Sequence, residues 1–150
     1  MSDYLYTLES HLNAAQSEAL ATVQTAANEA GLNLFLVGGA LRDMMAGFPI
    51  RDLNFTVEGN AIALAKAILK KTGLEMVALD TRRNRAELVF PQNVRVEIAM
   101  AREEKYAKAG AKPTISPATI YEDLKNRDFT INAIALLVIG SCMVFLFESL

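Results

Sequence analysis

Two neighbouring stretches decide the fold: Val37-Gly38-Gly39-Ala40-Leu41-Arg42-Asp43 and, a little further on, Arg51-Asp52-Leu53-Asn54-Phe55. The first ends the continuous apolar run Leu34-Phe35-Leu36-Val37, which predicts a short buried strand. Gly38-Gly39 breaks that strand, and Ala40 to Ala46 then predicts a helix that Gly47 and Pro49 stop. A double glycine between a strand and a helix lets backbone N–H groups approach a phosphate closely. The helix N-terminus adds a favourable dipole, and Arg42 offers a fixed positive fork. A plain strand-to-helix turn is the alternative. The second stretch alternates as a strand over Leu53 to Val57. Residues two apart on a strand share a face, so Asp52 and Asn54 project together while Leu53 turns into the core. Two carboxylates so placed would suit a magnesium pair held about 4 Å apart. Here the second position is an amide, and a surface strand is the alternative.

Working outward, Leu12, Ala15, Ala19, Val23 and Ala26 give an apolar helical face within the first thirty residues, ended by Gly31. Ala61, Leu64, Ala65, Ile68 and Leu69 keep helical spacing up to Gly73. Leu74 to Leu79, Ala86 to Phe90 and Val94 to Ala99 predict strands, the last two joined at Pro91-Gln92-Asn93 by a hairpin turn. Residues Glu103 to Pro117 predict a long loop bearing lysine, glycine and proline, and loops of that length are commonly functional. Thr119 with Glu122 three positions on forms a capping box, opening a helix expected to carry Asn126 to Ala133. No internal repeat or low-complexity tract interrupts the order. These elements give an α+β class: a mixed sheet with packed helices.

The chain has 150 residues, 52% hydrophobic and 21% charged, which is enough for one globular domain with a real core and excludes intrinsic disorder. A formal net charge of -2 excludes a globally basic surface, so any RNA contact must come from a local patch or from another domain. The single cysteine, Cys142, excludes an internal disulfide and suits a reducing compartment. The start, MSDYLYTLES, lacks the basic region and apolar run of a signal peptide, and the expectation is a cytoplasmic protein. Ala133 to Phe147 is uncharged but shorter than the roughly 20 apolar residues needed to span a bilayer. Gly140-Ser141 near its middle favours a buried hairpin over a membrane anchor. Cys142 then reads as a small buried hydrophobe. His11 is the only histidine, so no zinc cluster is expected. Arg82, Arg83 and Arg85 form a small basic group, either a solvated turn or a phosphate-facing patch.

Taken in order, Gly38-Gly39-Ala40-Leu41-Arg42-Asp43, then Asp52-Leu53-Asn54-Phe55, resembles the signature of the DNA polymerase β-like nucleotidyltransferases. Three later blocks narrow the resemblance to the head domain of the tRNA CCA-adding enzyme and bacterial poly(A) polymerase family. They are Val96 to Glu103; Gly110 to Pro113 continuing through Ile120 to Leu124; and Asn126-Arg127-Asp128-Phe129-Thr130-Ile131-Asn132-Ala133. The resemblance runs from about Leu34 to the last residue. It implies a nucleotidyltransferase fold of the polymerase β palm type over residues 31–150, behind an N-terminal helical segment, 1–30. It also implies transfer of a nucleoside monophosphate from CTP or ATP to the 3′-hydroxyl of a tRNA or other RNA, with Mg2+ and release of pyrophosphate. Gly38 and Gly39 would cradle the triphosphate, and Arg42 would contact it or brace the loop. Asp52 would be a metal ligand, with Asn54 standing where the family has its second, and Glu97 either a further acidic side chain assisting the metals or a solvated strand glutamate. Arg127, Asp128 and Asn132 would contact the nucleotide's phosphates and ribose, and the loop from Glu103 to Lys112 would close over the site.

The chain departs from the family pattern at Asn54, at Asn126 in place of the first arginine of a pair, and at Phe145-Leu146-Phe147-Glu148-Ser149. The family's neck, body and tail, which select the base and grip the tRNA, are expected to lie outside this chain, supplied by a further RNA-binding domain or partner. An RNA nucleotidyltransferase and a catalytically impaired, truncated nucleotide-binding remnant are therefore the two expectations. CCA addition and poly(A) addition are not distinguished.

Overall fold

The computed structural model describes residues 10–126, 134–139 and 142–147, the last two stretches as backbone. Chain order gives α1 (Ala14–Glu29), β1 (Leu34–Val37), α2 (Gly39–Met45), β2 (Leu53–Val57), α3 (Ala61–Thr72) and β3 (Glu75–Asp80). There follow β4 (Arg85–Phe90), β5 (Val94–Met100), β6 (Arg102–Lys105), β7 (Thr114–Pro117), α4 (Ile120–Lys125), β8 (Ile134–Ile139) and β9 (Cys142–Phe147).

The helices start and stop where side chains satisfy their end groups. Asn13 and Gln16 close a reciprocal capping box on α1, Asn60 caps α3 at the Ala63 amide, and Thr119 with Glu122 closes a second capping box on α4. Gly73 ends α3 in the left-handed conformation, φ 70°. Seven strands form one sheet in the order β3-β4-β5-β2-β1-β8-β9. The β2–β5 pair is parallel and its neighbours are antiparallel. A separate ribbon pairs β6 with β7.

Period-two alternation assigns the two sheet faces. On β5, Val94, Val96, Ile98 and Met100 are buried while Arg95, Glu97 and Ala99 lie on the opposite face. On β2, Leu53, Phe55 and Val57 enter the same core. Helices α1, α2 and α3 cover this apolar face through residues such as Val23, Leu41, Leu64 and Ile68. Helix α4 packs on the other face, where Ile120 and Leu124 meet Phe35 and Val37. The central strands therefore leave a polar surface beside α4, on the side away from the main core.

One expectation changes. The segment from Glu103 to Pro117 carries a paired ribbon at its ends, Arg102 opposite Pro117 through Lys105 opposite Thr114. Its strands are half-buried or exposed, so backbone pairing forms them without an apolar stripe. Helix α4 runs to Lys125 with Asn126 as its C-cap, and the expectation that a helix carries the motif on to Ala133 falls on residues 127–133, outside the described residues. The hairpin reading of the uncharged C-terminal run holds: β8 and β9 pair antiparallel with Ile139 opposite Cys142. The Cys142 side chain lies outside what is described. Among the described residues no helix is long and apolar enough to cross a membrane.

Leu64 on α3 is 2% exposed within the main core. Leu64→Ala is expected to lower unfolding stability by about 2–5 kcal/mol, through lost burial and the cavity left behind. Urea denaturation of the two proteins measures the difference.

Candidate active-site cleft

Parallel pairing of β2 with β5 places Asn54 across from Glu97, and antiparallel pairing of β1 with β2 places Val37 across from Asn54. Gly38 follows directly, with φ 70° and ψ -132°, a conformation that side-chain-bearing residues rarely adopt. A Cβ built on Gly38 would stand 3.4 Å from the Asn54 amide nitrogen. The glycine turn and the β2 residue are thus in contact range, as the two opening stretches require. A Cβ on Gly39 would stand 3.4 Å from a terminal nitrogen of Arg42, whose side chain folds back over the turn. That favours the bracing role for Arg42.

A cleft of about 300 Å³ opens over this face, lined among others by Gly38, Asn54, Arg85, Glu97, Arg102 and Asn126. A second hollow of about 200 Å³ is lined by Asp52, Asn54, Glu87, Arg95 and Glu97. Asn54 and Glu97 belong to both, so Asp52, Asn54 and Glu97 are brought together as expected. Asn126, at the start of the last motif, joins the first cleft. Arg127, Asp128 and Asn132 lie outside the described residues.

The charge pattern here was not read from sequence. Glu87 on β4 lies directly across from Glu97 on β5. Like charges so placed repel, and each is relieved on the diagonal by an arginine of the other strand. Arg95 reaches Glu87 at 2.8 Å and Arg85 reaches Glu97 at 3.3 Å. Arg102 pairs with Glu104 at 3.0 Å, and the Arg102 amide donates to the buried carboxylate of Asp123 at 2.9 Å. The Arg102 hydrogen bond holds the Glu104 carboxyl below its ordinary pKa, against the opposing effect of burial. The basic group Arg82, Arg83 and Arg85 is divided among separate partners. Arg82 donates to the Pro113 carbonyl at 2.9 Å, Arg83 pairs with Asp80, and Arg85 faces the cleft. Of the three, Arg85 alone lines the cleft. The alternation Arg85-Ala86-Glu87 and Arg95-Val96-Glu97 was the available signal, but the pairing register that gives it meaning is not local.

Asp52 makes no hydrogen bond or ion pair among the described residues, whereas its neighbour Arg51 is held. Arg51 donates to Asp43 through Nε at 3.2 Å and through a terminal nitrogen at 3.0 Å. Asp43 is 5% exposed. The Arg51 hydrogen bond holds the Asp43 carboxyl below its ordinary pKa, burial opposing it and the charge of Arg51 adding to it. The smaller hollow offers oxygen donors, with Arg95 among its lining residues as well. Those donors are carboxylate and amide oxygens with no sulfur or imidazole, the set that hard cations take. Glu87 and Glu97 are already paired with arginines, which leaves Asp52 as the uncommitted carboxylate. Among the described residues no cluster of three His, Cys, Asp or Glu side chains has metal-binding geometry.

Comparison with known proteins places this geometry. The family described as the Poly A polymerase head domain matches residues 34–144. The A-adding tRNA nucleotidyltransferase of Halalkalibacterium halodurans is 38% identical over 136 residues, 90% of this chain and 32% of that protein. Among solved structures, a CCA-adding enzyme in apo form II superposes with a TM-score of 0.78 at 28% identity, covering 88% of this chain and 31% of the other. A tRNA nucleotidyltransferase complexed with a primer tRNA and an incoming ATP analog gives 0.66 at 34% identity, covering 83% and 34%. The chain thus spans about a third of the length of each of these three proteins.

Because the folded pKa of Asp43 lies below the unfolded value near 4, its contribution to stability is present above about pH 4 and lost as pH falls through the folded value. Melting temperature followed from pH 7 to about pH 3 is expected to fall less steeply in Asp43→Asn, which starts from a lower value at neutral pH.

Proposed function

The chain belongs to the Poly A polymerase head-domain family, matched over residues 34–144, and from that premise we propose that it is the nucleotidyl-transfer head of a tRNA 3′-end-processing enzyme. It would transfer a nucleoside monophosphate from ATP or CTP to an RNA 3′-hydroxyl and release pyrophosphate. The observation that supports this most is the convergence of Gly38, Asn54, Glu97 and Asn126, from four separate segments, on one cleft.

In this proposal the Gly38-Gly39 turn presents backbone N–H groups to the triphosphate, where a side chain would stand in the way. Arg85 lines the cleft and can exchange Glu97 for a phosphate oxygen, because an arginine fork matches either anion. Arg127, Asp128 and Asn132 are assigned to the nucleotide's phosphates and ribose. Asp52, Asn54 and Glu97 would hold magnesium, which when bound supplies charge neutralisation at the phosphates and activation of the attacking hydroxyl. The residues contribute position and electrostatic complementarity, and an in-line displacement needs little more. With a net charge of -2, the grip on RNA is assigned to a region outside this domain.

Asn54 favours a second reading, a nucleotide-binding head with impaired turnover. An amide oxygen can coordinate a cation but does not neutralise it. It also avoids adding a fourth carboxylate to the hollow that Asp52, Glu87 and Glu97 already line.

Magnesium-dependent incorporation of labelled ATP or CTP into a tRNA lacking its 3′ end tests the first reading. The chain is assayed alone and with an added RNA-binding partner. Incorporation by neither preparation overturns it. Under the second reading the native chain is inert and Asn54→Asp gains turnover. Asn54→Asp is also expected to lower stability without magnesium by about 0.2–1 kcal/mol, from like-charge opposition, and to regain it as magnesium is added. Thermal melts with and without the ion read this directly.

A further inference from the structure

Helix α1 precedes the matched segment, yet one of its polar side chains reaches the approach to Asp52. Gln16 is 5% exposed. Its Oε1 accepts from the Asn13 amide at 2.9 Å, which uses the capping box as a fixed base. Its Nε2 donates to the carbonyl of Ile50 at 2.6 Å, across 34 residues of sequence. The Ile50 amide in turn donates to the carbonyl of His11 at 3.5 Å. One residue later, Arg51 is held by the two-pronged bond to buried Asp43 on α2. The backbone immediately before Asp52 is therefore tied to two helices, through Gln16 on one side and Asp43 on the other. Asp52 itself is exposed and makes no hydrogen bond or ion pair among the described residues.

We propose that Gln16 and Asp43 are positioning residues that clamp Ile50 and Arg51, so that the N-terminal helix helps set where the Asp52 carboxylate stands relative to Asn54 and Glu97. This rests on the proposed function for its ligand, but the clamp itself is a property of the chain alone. A buried amide is costly unless satisfied, and Gln16 is satisfied only because the Ile50 carbonyl is brought to it. The Asp43–Arg51 fork is directional, since both carboxylate oxygens accept, and it fixes the guanidinium's orientation as well as its distance. Asp43 also sits on the helix that follows Gly38-Gly39. The same contact therefore ties the proposed phosphate turn to the proposed metal-ligand strand. Disturbing either anchor would leave Asp52 chemically intact and poorly placed, as loss of supporting hydrogen bonds does around metal ligands generally.

The experiment compares Gln16→Leu and Asp43→Asn in the full chain with Ala27→Gly, a change in the α1 core that lowers stability without touching the clamp. Amide hydrogen exchange over residues 50–54 is expected to quicken by about tenfold or more in both clamp variants relative to Ala27→Gly. The affinity for Mn2+ with ATP, measured as free Mn2+ by electron paramagnetic resonance, is expected to weaken by about tenfold in the same two variants. Arg51→Lys, which keeps charge and loses the fork, is expected to behave like Asp43→Asn. Exchange over residues 50–54 no faster than in Ala27→Gly overturns the clamp. Faster exchange with unchanged Mn2+ affinity overturns its role in placing Asp52. A wild-type chain that binds neither Mn2+ nor ATP overturns the nucleotidyl-transfer assignment instead, and the exchange comparison still decides the clamp.

Discussion

The parallel pairing of β2 with β5 is the constraint on which the cleft depends. It sets Asn54 beside Glu97, and strand alternation then sends Leu53, Phe55, Val96 and Ile98 into the core on the other face. A slip of one residue would exchange the faces, burying Glu97 and exposing Ile98. The apolar half of each strand thus fixes the polar half. The main core makes the cleft reproducible, although its side chains point away from it. Helix α4 completes the arrangement from the opposite side, since Ile120 and Leu124 pack on Phe35 and Val37 next to Gly38.

Electrostatics on the polar face follow from the same register. Glu87 and Glu97 are forced into opposition by the β4–β5 pairing, and the diagonal arginines Arg85 and Arg95 offset the repulsion. Exposed ion pairs of this kind contribute little to stability, so their importance lies in where they hold charge. Each leaves a cation and an anion at the lip of a hollow, which on the proposed function would exchange partners with a phosphate or a metal ion. The Asp43–Arg51 pair differs because its carboxylate is buried. It is the more rigid contact, and it lies behind Asp52.

Much of this was legible in the sequence. Leu34 to Val37, the glycine pair, the alternation after Asp52, the turn at Pro91 to Asn93 and the capping box at Thr119 are local signals with local physical causes. The segment from Glu103 to Pro117 reads as a loop because it lacks apolar alternation; cross-strand backbone pairing forms the β6–β7 ribbon, with Ile115 packed on the main core. The candidate residues Gly38, Asp52 and Asn54 came from the turn and strand patterning, and Glu97 from the family resemblance. Arg85, Glu87, Arg95 and Arg102 did not, because their partners are set by register. Gln16 was missed for a related reason: next to Ala15 it reads as a solvated neighbour of the apolar stripe. Its burial depends on a carbonyl 34 residues away.

Asn54 brings these threads together. With Glu97 across from it on β5, and Glu87 across from Glu97 on β4, the position borders a row of acids whose arginine partners each neutralise one charge. An aspartate there would add negative charge that only a cation or a further arginine could offset. The amide keeps the oxygen donor and the shape while removing that demand. On the proposed function, stability without metal and strength of metal binding would therefore be opposed at this one side chain: what relaxes the cleft would weaken its hold on a divalent ion. On that proposal, turnover would depend on how firmly Asp52 is placed, because Asp52 and Glu97 would have to supply the charge that Asn54 lacks.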